Sequence, residues 1–259
     1  MQGFYTCFRT LGSIAKKAYE LKEYGNRQVT KYKQQMIHSY TTPKTKIIEY
    51  ELASNVPHTP VIVNHGLKRT FDILVALIAV LLVLSWLAPL LALLIRLESR
   101  GPVFFKQLRT GCNGKPFYCL KFRSMRLNTE ADLRQACPND PRVTRVGAFM
   151  RRNNLDELPQ FINVLRGDMS VVGPRPHMLR QTEVYAQAID YFMLRHCVCP
   201  GITGWAQVNG YRGETKELIA MENRVKADLW YLQNWSLLLD VHIIARTLGL
   251  WLGRQPNAY

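Results

Sequence analysis

Acidic side chains are scarce in this 259-residue chain: 19 Asp and Glu stand against 34 Lys and Arg, a formal net charge of +15. Such an imbalance favours an anionic partner, whether a phosphate ligand, an acidic lipid or nucleic acid, and charge alone does not choose among them. The six cysteines (Cys7, Cys112, Cys119, Cys137, Cys197, Cys199) form no C-x-x-C pair, and the widely spaced His177, His196 and His242 form no H-x-x-x-H pair, so a zinc site is not indicated. The scattered thiols read as reduced, in a cytoplasmic setting. Also missing are a Walker lysine and a G-x-G-x-x-G turn, which argues against the common nucleotide-binding loops. No secretory leader is expected, because Arg9, Lys16, Lys17, Glu20 and Lys22 interrupt any apolar run near the start.

What the chain does contain is one long uncharged stretch, the 23 residues from Ile73 to Ile95, enough to cross a hydrocarbon core that needs ~20. Basic residues flank it on both sides, Lys68 and Arg69 before, Arg96 and Arg100 after, and short basic flanks prefer the cytoplasm. Pro89 removes a helical hydrogen bond and disfavours helical geometry at Ala88, so the pair Ala88-Pro89 is a place where the segment would bend and return to its starting side. A re-entrant hairpin, a simple crossing and a buried core helix are the three readings. The absence of a polar face counts against the last.

Before this stretch lies a basic extension, residues 1–65, broken by Thr41-Thr42-Pro43 and Val56-Pro57-His58-Thr59-Pro60. After Gly101, short apolar runs at Val103-Phe104-Phe105 and Phe117-Tyr118-Cys119-Leu120 suggest short strands. Leu218, Met221, Val225, Leu229 and Leu232 recur at helical spacing, with Lys216, Arg224, Lys226 and Asp228 expected on the opposite face. The segment from Leu237 to Leu252 is apolar but holds Asp240, His242 and Arg246, which argues against a second crossing. Trp230, Tyr231, Trp235 and Trp251 are ring types favoured at a membrane boundary, and helices lying on the bilayer fit them; packing on the domain core is the alternative.

The densest chemistry lies at Arg151-Arg152-Asn153-Asn154-Leu155-Asp156-Glu157-Leu158-Pro159-Gln160. If Asn153 or Asn154 caps a helix, Asp156 and Glu157 occupy its first turn, where the dipole favours negative charge, and the pair needs no further role. The competing reading is catalytic. Lys121, Arg123, Arg142, Arg145 and Arg151 lie nearby in sequence, and a carboxylate attacking a phosphate needs cations to offset like-charge repulsion. Downstream, Arg175 is held between Pro174 and Pro176, which restrains its backbone and suits bidentate phosphate binding. The segment Pro200 to Gly210, with three glycines, suits a binding loop.

Taken in order, Lys68-Arg69-Thr70-Phe71-Asp72, Gly101-Pro102-Val103-Phe104-Phe105, Lys121-Phe122-Arg123-Ser124-Met125, Arg145 to Gly147, Arg151, Leu155 to Gln160, Gly173 to Pro176 and Pro200 to Gly210 resemble the monotopic phosphoglycosyl transferases, the bacterial sugar transferase family. The resemblance covers about residues 66 to 259. Beyond the basic extension over 1–65, it implies an α/β fold: a re-entrant membrane helix over 66–98, a small mixed α/β catalytic domain over 99–210 and amphipathic interfacial helices over 211–259. It implies transfer of a sugar 1-phosphate from a UDP-sugar to undecaprenyl phosphate at the cytoplasmic face of a bacterial inner membrane. Asp156 would be the nucleophile and, with Glu157, a ligand of Mg2+. Lys121, Arg123, Arg145, Arg151 and Arg175 would bind the substrate phosphates.

Where many members carry Ser-Pro at the helix break, this chain has Ala88-Pro89, so the hydroxyl is missing there. The C-terminal portion looks like the larger enzymes that begin exopolysaccharide synthesis, several of which use UDP-glucose; galactose and N-acetylated sugars are the alternatives. Anionic lipid and a homo-oligomer are further expected partners, and nucleic acid is not. A non-catalytic basic membrane-binding protein explains the charge but not the ordered motifs.

Overall fold

The computed structural model describes residues 63–128, 140–211, 213 and 217–252. Residues 1–62, which hold most of the expected basic extension, lie outside the described residues, as do Lys216 and the ring of Trp251.

Asn64 opens the first helix: its side-chain oxygen accepts from the Leu67 N–H at 3.1 Å, satisfying one of the orphan donors of a helix start. Helix α1 (His65–Ala79) runs through a π-helical turn (Val80–Leu84) into α2 (Ser85–Glu98), a continuous 34-residue helix. By length and composition it is the one described helix able to cross a membrane. The expected break at Ala88-Pro89 is corrected. The chain stays helical there, and the irregular turn lies one to two turns earlier. In that turn the Ser85 N–H reaches back to Val80 O, and the Ser85 hydroxyl donates to Leu81 O at 2.7 Å in its place. Trp86 Nε1 likewise donates to Leu82 O at 2.8 Å. Side chains thus occupy carbonyls in an apolar stretch that water would not reach in a bilayer.

Two short sheets follow. Strands β1 (Phe104–Thr110) and β2 (Pro116–Phe122) pair antiparallel from Phe104 opposite Phe122 to Thr110 opposite Pro116, extending both apolar runs seen in the sequence. Asn113 (φ 52) and Gly114 (φ 71) take the positive φ that the tight connection requires. Then come α3 (Arg145–Arg152), α4 (Gln160–Arg166), β3 (Ser170–Val172), α5 (Leu179–Ala188), β4 (Gly201–Thr203), α6 (Trp205–Val208), α7 (Leu218–Gln233) and α8 (Leu237–Leu252). Strands β3 and β4 pair in parallel, Ser170 with Gly201 and Val172 with Thr203. The architecture is mixed helix and sheet.

Both ends of the long helix are tied to this domain by polar groups. At its start, Lys68 forms a buried ion pair with Asp240 of α8 at 2.9 Å, and Asp72 accepts from Ser170 Oγ and Val171 N–H of β3, each at 3.0 Å. At its end, Glu98 accepts from the Arg145 and Val146 N–H groups, capping α3. Between them, Leu84, Leu91 and Ile95 pack with Phe122, Met150 and Leu158 in one apolar cluster. A second and larger cluster gathers Val164, Val171, Val172, Met221, Val225 and Ile243 from α4, β3, α7 and α8, with Met169 just before β3 and Phe192 from the 3-10 segment Phe192–Cys197.

The polar face expected on α7 holds for Lys226, which is exposed, and is corrected for two other residues. Arg224 and Asp228 are buried, each with a partner inside the domain, and Tyr231 is 1% exposed with its hydroxyl on Asp240 at 2.7 Å. Trp230 is among the exposed rings and stacks on Trp205. Leu238, Val241, Leu248 and Leu250 leave an apolar face of α8 uncovered.

Candidate active site

Asn154 stands in the left-handed region (φ 54), a conformation asparagine tolerates better than most residues, and the chain turns there into the 3-10 segment Leu155–Glu157. The expectation of a side-chain cap is not met: Asn154 precedes the turn but its side chain makes no capping hydrogen bond, and α4 begins only after Pro159. Asp156 is buried, and Glu157 lines a cavity.

Glu157 is gripped from two elements. Lys121 Nζ, on β2, donates to Oε1 at 2.7 Å, and Arg175, from the loop after β3, donates to Oε1 at 2.8 Å and to Oε2 at 3.4 Å. Burial works to raise the Glu157 carboxyl, but Arg175 and Lys121 outweigh it and hold it well below the usual carboxylate range. Asp156 moves the other way. Burial pushes it up and the Glu157 charge adds to this, while Lys121, Arg151 and Arg175 pull against it. Neighbouring carboxyls driven apart in this way are a recurring mark of reactive sites.

Of the residues expected to bind phosphate, Lys121, Arg151 and Arg175 are brought to this pair. Arg151 is held by its Nε on Ser124 Oγ at 2.8 Å. Arg123 is not brought there. Its guanidinium donates to Arg100 O and Ser99 O, each at 2.6 Å, and so serves the carbonyls at the end of α2. Arg145 is exposed at the start of α3, and Arg142 pairs with Asp140 at 2.6 Å. Ala88 and Pro89 belong to the long apolar helix, where Ala88 packs on the smaller core cluster.

Asp156 and Glu157 fit a magnesium ion in donor type: two adjacent hard oxygen ligands, with substrate phosphates and water completing the shell. Among the described residues no group of three or more metal-ligating side chains occurs, so a cage made wholly of protein is not built.

A cavity of about 310 Å³ has Glu157 in its wall. Val75 and Ile78 of α1, Ile202 and Thr203 of β4, and Ile244 and Leu248 of α8 contribute to its walls, and Glu157 sits among them as the acidic group. The cavity is therefore an apolar trough between the long helix and α8 that reaches Glu157.

Residues 63–254 match the family model described as bacterial sugar transferase. The chain belongs to that family. A UDP-glucose:undecaprenyl-phosphate glucose-1-phosphate transferase of Escherichia coli (strain K12) is 53% identical over 187 residues, covering 72% of this chain and 40% of that protein. One of the same name from Xanthomonas campestris pv. campestris is 53% identical over 167 residues, 64% of this chain and 34% of that protein. A third, from Caulobacter vibrioides, is 42% identical over 221 residues, 84% of this chain and 80% of that protein. The chain thus spans well under half of the first two relatives and most of the third.

In this bacterial sugar transferase, sequence reasoning passed over Arg109 and Arg195, and placed Asp228 on a solvent face, though all three lie around the Arg175 loop. A signal existed for Arg195: a strong base inside the apolar stretch Phe192 to Val198 must find a buried partner or leave the core.

Proposed function

We propose that this chain transfers a sugar 1-phosphate, glucose 1-phosphate in the first instance, from a UDP-sugar to undecaprenyl phosphate and releases UMP. The activities for which its relatives are named support donor and acceptor. The observation that carries the chemistry is the buried Asp156 beside a Glu157 already neutralised by Lys121 and Arg175.

An Asp156 carboxylate oxygen attacks the phosphorus that bears the sugar. The bond from that phosphorus to the bridging oxygen breaks, and UMP leaves with the electron pair. A phosphate oxygen of the acceptor then attacks the same phosphorus, freeing Asp156 and leaving the sugar on a lipid-linked pyrophosphate. Lys121, Arg151 and Arg175 offset the repulsion between carboxylate and phosphate oxygens and orient the latter. A magnesium ion on Asp156 and Glu157 would supply further charge neutralisation at those oxygens. The apolar trough suits the isoprenoid of the acceptor, whose phosphate would then lie at the Glu157 end, next in sequence to Asp156.

The membrane arrangement we favour is a re-entrant helix with the domain on the cytoplasmic face of a bacterial inner membrane, in contact with anionic lipid. The 34-residue helix has in its π turn at Val80–Leu84 a place for the bend that a return to the same side needs. Its two ends bond to a single domain, which favours both lying on one side.

The test is UMP release from UDP-glucose by detergent-purified protein with undecaprenyl phosphate and Mg2+. We expect Asp156→Asn to lower the rate about 1,000-fold or more. Near-normal turnover by that variant would sink the nucleophile assignment, and turnover with UDP-galactose or a UDP-N-acetylated sugar alone would replace glucose.

A further inference from the structure

The loop Pro174 to His177 delivers Arg175 to Glu157, and each of its four backbone carbonyls is held. Pro174 O accepts from the Gly201 N–H at 3.0 Å and His177 O from the Thr110 N–H at 3.0 Å. Pro176 O accepts from Arg109 Nη1 at 2.7 Å, and Arg175 O accepts from Arg195 Nη2 at 3.0 Å. Two of the four donors are therefore arginine side chains. Arg195 alone bonds the residue whose own guanidinium grips Glu157.

Arg195 is 1% exposed, and its fork is fully engaged. Nε and Nη2 donate to Asp228 Oδ2 at 2.9 and 2.6 Å, Nη1 donates to His177 Nδ1, and the guanidinium carbon lies 5.4 Å from the centre of the Phe192 ring. Burial lowers the His177 pKa well below its ordinary value, with Arg195 and Arg224 adding to this, so the ring is neutral and accepts at Nδ1. A buried ion pair loses hydration that its mutual attraction does not reliably return, so stability alone is a poor reason for it. The planar five-donor fork of arginine can tie a carboxylate, an imidazole and a carbonyl together at fixed angles. A lysine ammonium lacks that geometry.

We infer that Arg195, anchored by Asp228, is a positioning residue: by holding the Arg175 carbonyl from behind, it fixes the guanidinium that neutralises Glu157 and meets the donor phosphate. The inference rests on the transferase reading for its kinetic arm only. It does not require Arg195 to touch substrate.

The test uses the full chain in detergent, with Arg195→Lys, Arg175→Ala and the double variant. Expected for Arg195→Lys is a rise of about tenfold in the KM for UDP-glucose, in line with the cost of small misplacements in an active site. In the Arg175→Ala background the same change adds nothing further to KM, because the group it positions is gone. An activity-free arm reads the rate at which phenylglyoxal labels Arg175, whose side chain is 27% exposed. That rate should rise several-fold in Arg195→Lys while exposed Arg152 is unchanged. Should Arg195→Lys fail to fold, Asp228→Glu keeps both charges, shifts the anchor by one methylene and is read in the same two ways. A fall in melting temperature with Arg175 labelling and KM both at wild-type values would overturn the inference. So would a KM effect that multiplies in full on Arg175→Ala. Failure of the wild type to release UMP from any UDP-sugar would refute the transferase reading, and the labelling arm would still decide the positioning.

Discussion

Glu157 holds Lys121 and Arg175 by direct contact, whereas Asp156 lies buried next to it with no such contact among the described residues. That difference sets the expected pH behaviour. In the proposed reaction, attack on phosphorus requires the ionised form of Asp156, and burial raises its pKa, so kcat/KM should fall as pH drops through a value above that of a solvent-exposed aspartate. Lys121 works to lower Asp156, and in Lys121→Met that contribution is lost. The acid limb of the pH profile should move to higher pH in this variant. A limb that stays in place, or moves to lower pH, would mean that Asp156 is not the group being read.

The grouping of Asp156, Glu157, Lys121, Arg151 and Arg175 was legible as short polar strings separated by apolar runs. The positions of Arg123, Arg142 and Arg145 were not. An isolated arginine looks the same in sequence whether it serves a phosphate, a helix end or a neighbouring aspartate, and only the fold decides among them.

At the scale of elements, the two parallel strands show why the loops beside the site are glycine-rich. A Cβ on Gly201 would fall 2.1 Å from Gly173 N and 2.3 Å from Thr203 O, both backbone atoms that cannot swing aside. Gly201→Ala should therefore cost about 1–3 kcal/mol through forced separation of β3 and β4, read as a lower unfolding temperature in detergent. Activity should drop as well, because Gly173 leads directly into Pro174 and Arg175. Unchanged stability would mean that the strands part more easily than their spacing implies.

Strands were readable from β-rich apolar runs, but only in part, since Lys106, Gln107 and Arg109 of β1 carry polar groups that a run-based reading discards. The helix irregularity was misplaced for a different reason. Proline advertises a break, whereas a π-turn at Val80–Leu84 has no residue signature beyond the Ser85 and Trp86 side chains that satisfy its carbonyls. The burial of Arg224 and Asp228 escaped helical-face reasoning because charge was assumed to face solvent. Their partners, Gly213 and Arg195, lie 11 and 33 residues away in sequence.

For the whole molecule, the proposed re-entrant arrangement makes a prediction about sides. Cysteines introduced at His65 and Arg100, which bracket the long helix, should both escape an impermeant thiol reagent in intact cells and both react in inverted membrane vesicles. Opposite labelling of the two positions would establish a crossing helix instead. High salt should leave the protein in the membrane, since an exposed row including Leu74, Ile78, Leu81, Leu82 and Leu93 is held by apolar contact rather than by charge.

The trough between the long helix and α8 has a wall whose outer face is itself apolar. If the proposed acceptor enters through such a wall, it is sampled from two dimensions, and turnover should follow its mole fraction in the bilayer and not its molarity in the buffer. Diluting a proteoliposome suspension with buffer should leave the rate per enzyme unchanged, whereas fusing in empty lipid should lower it in proportion.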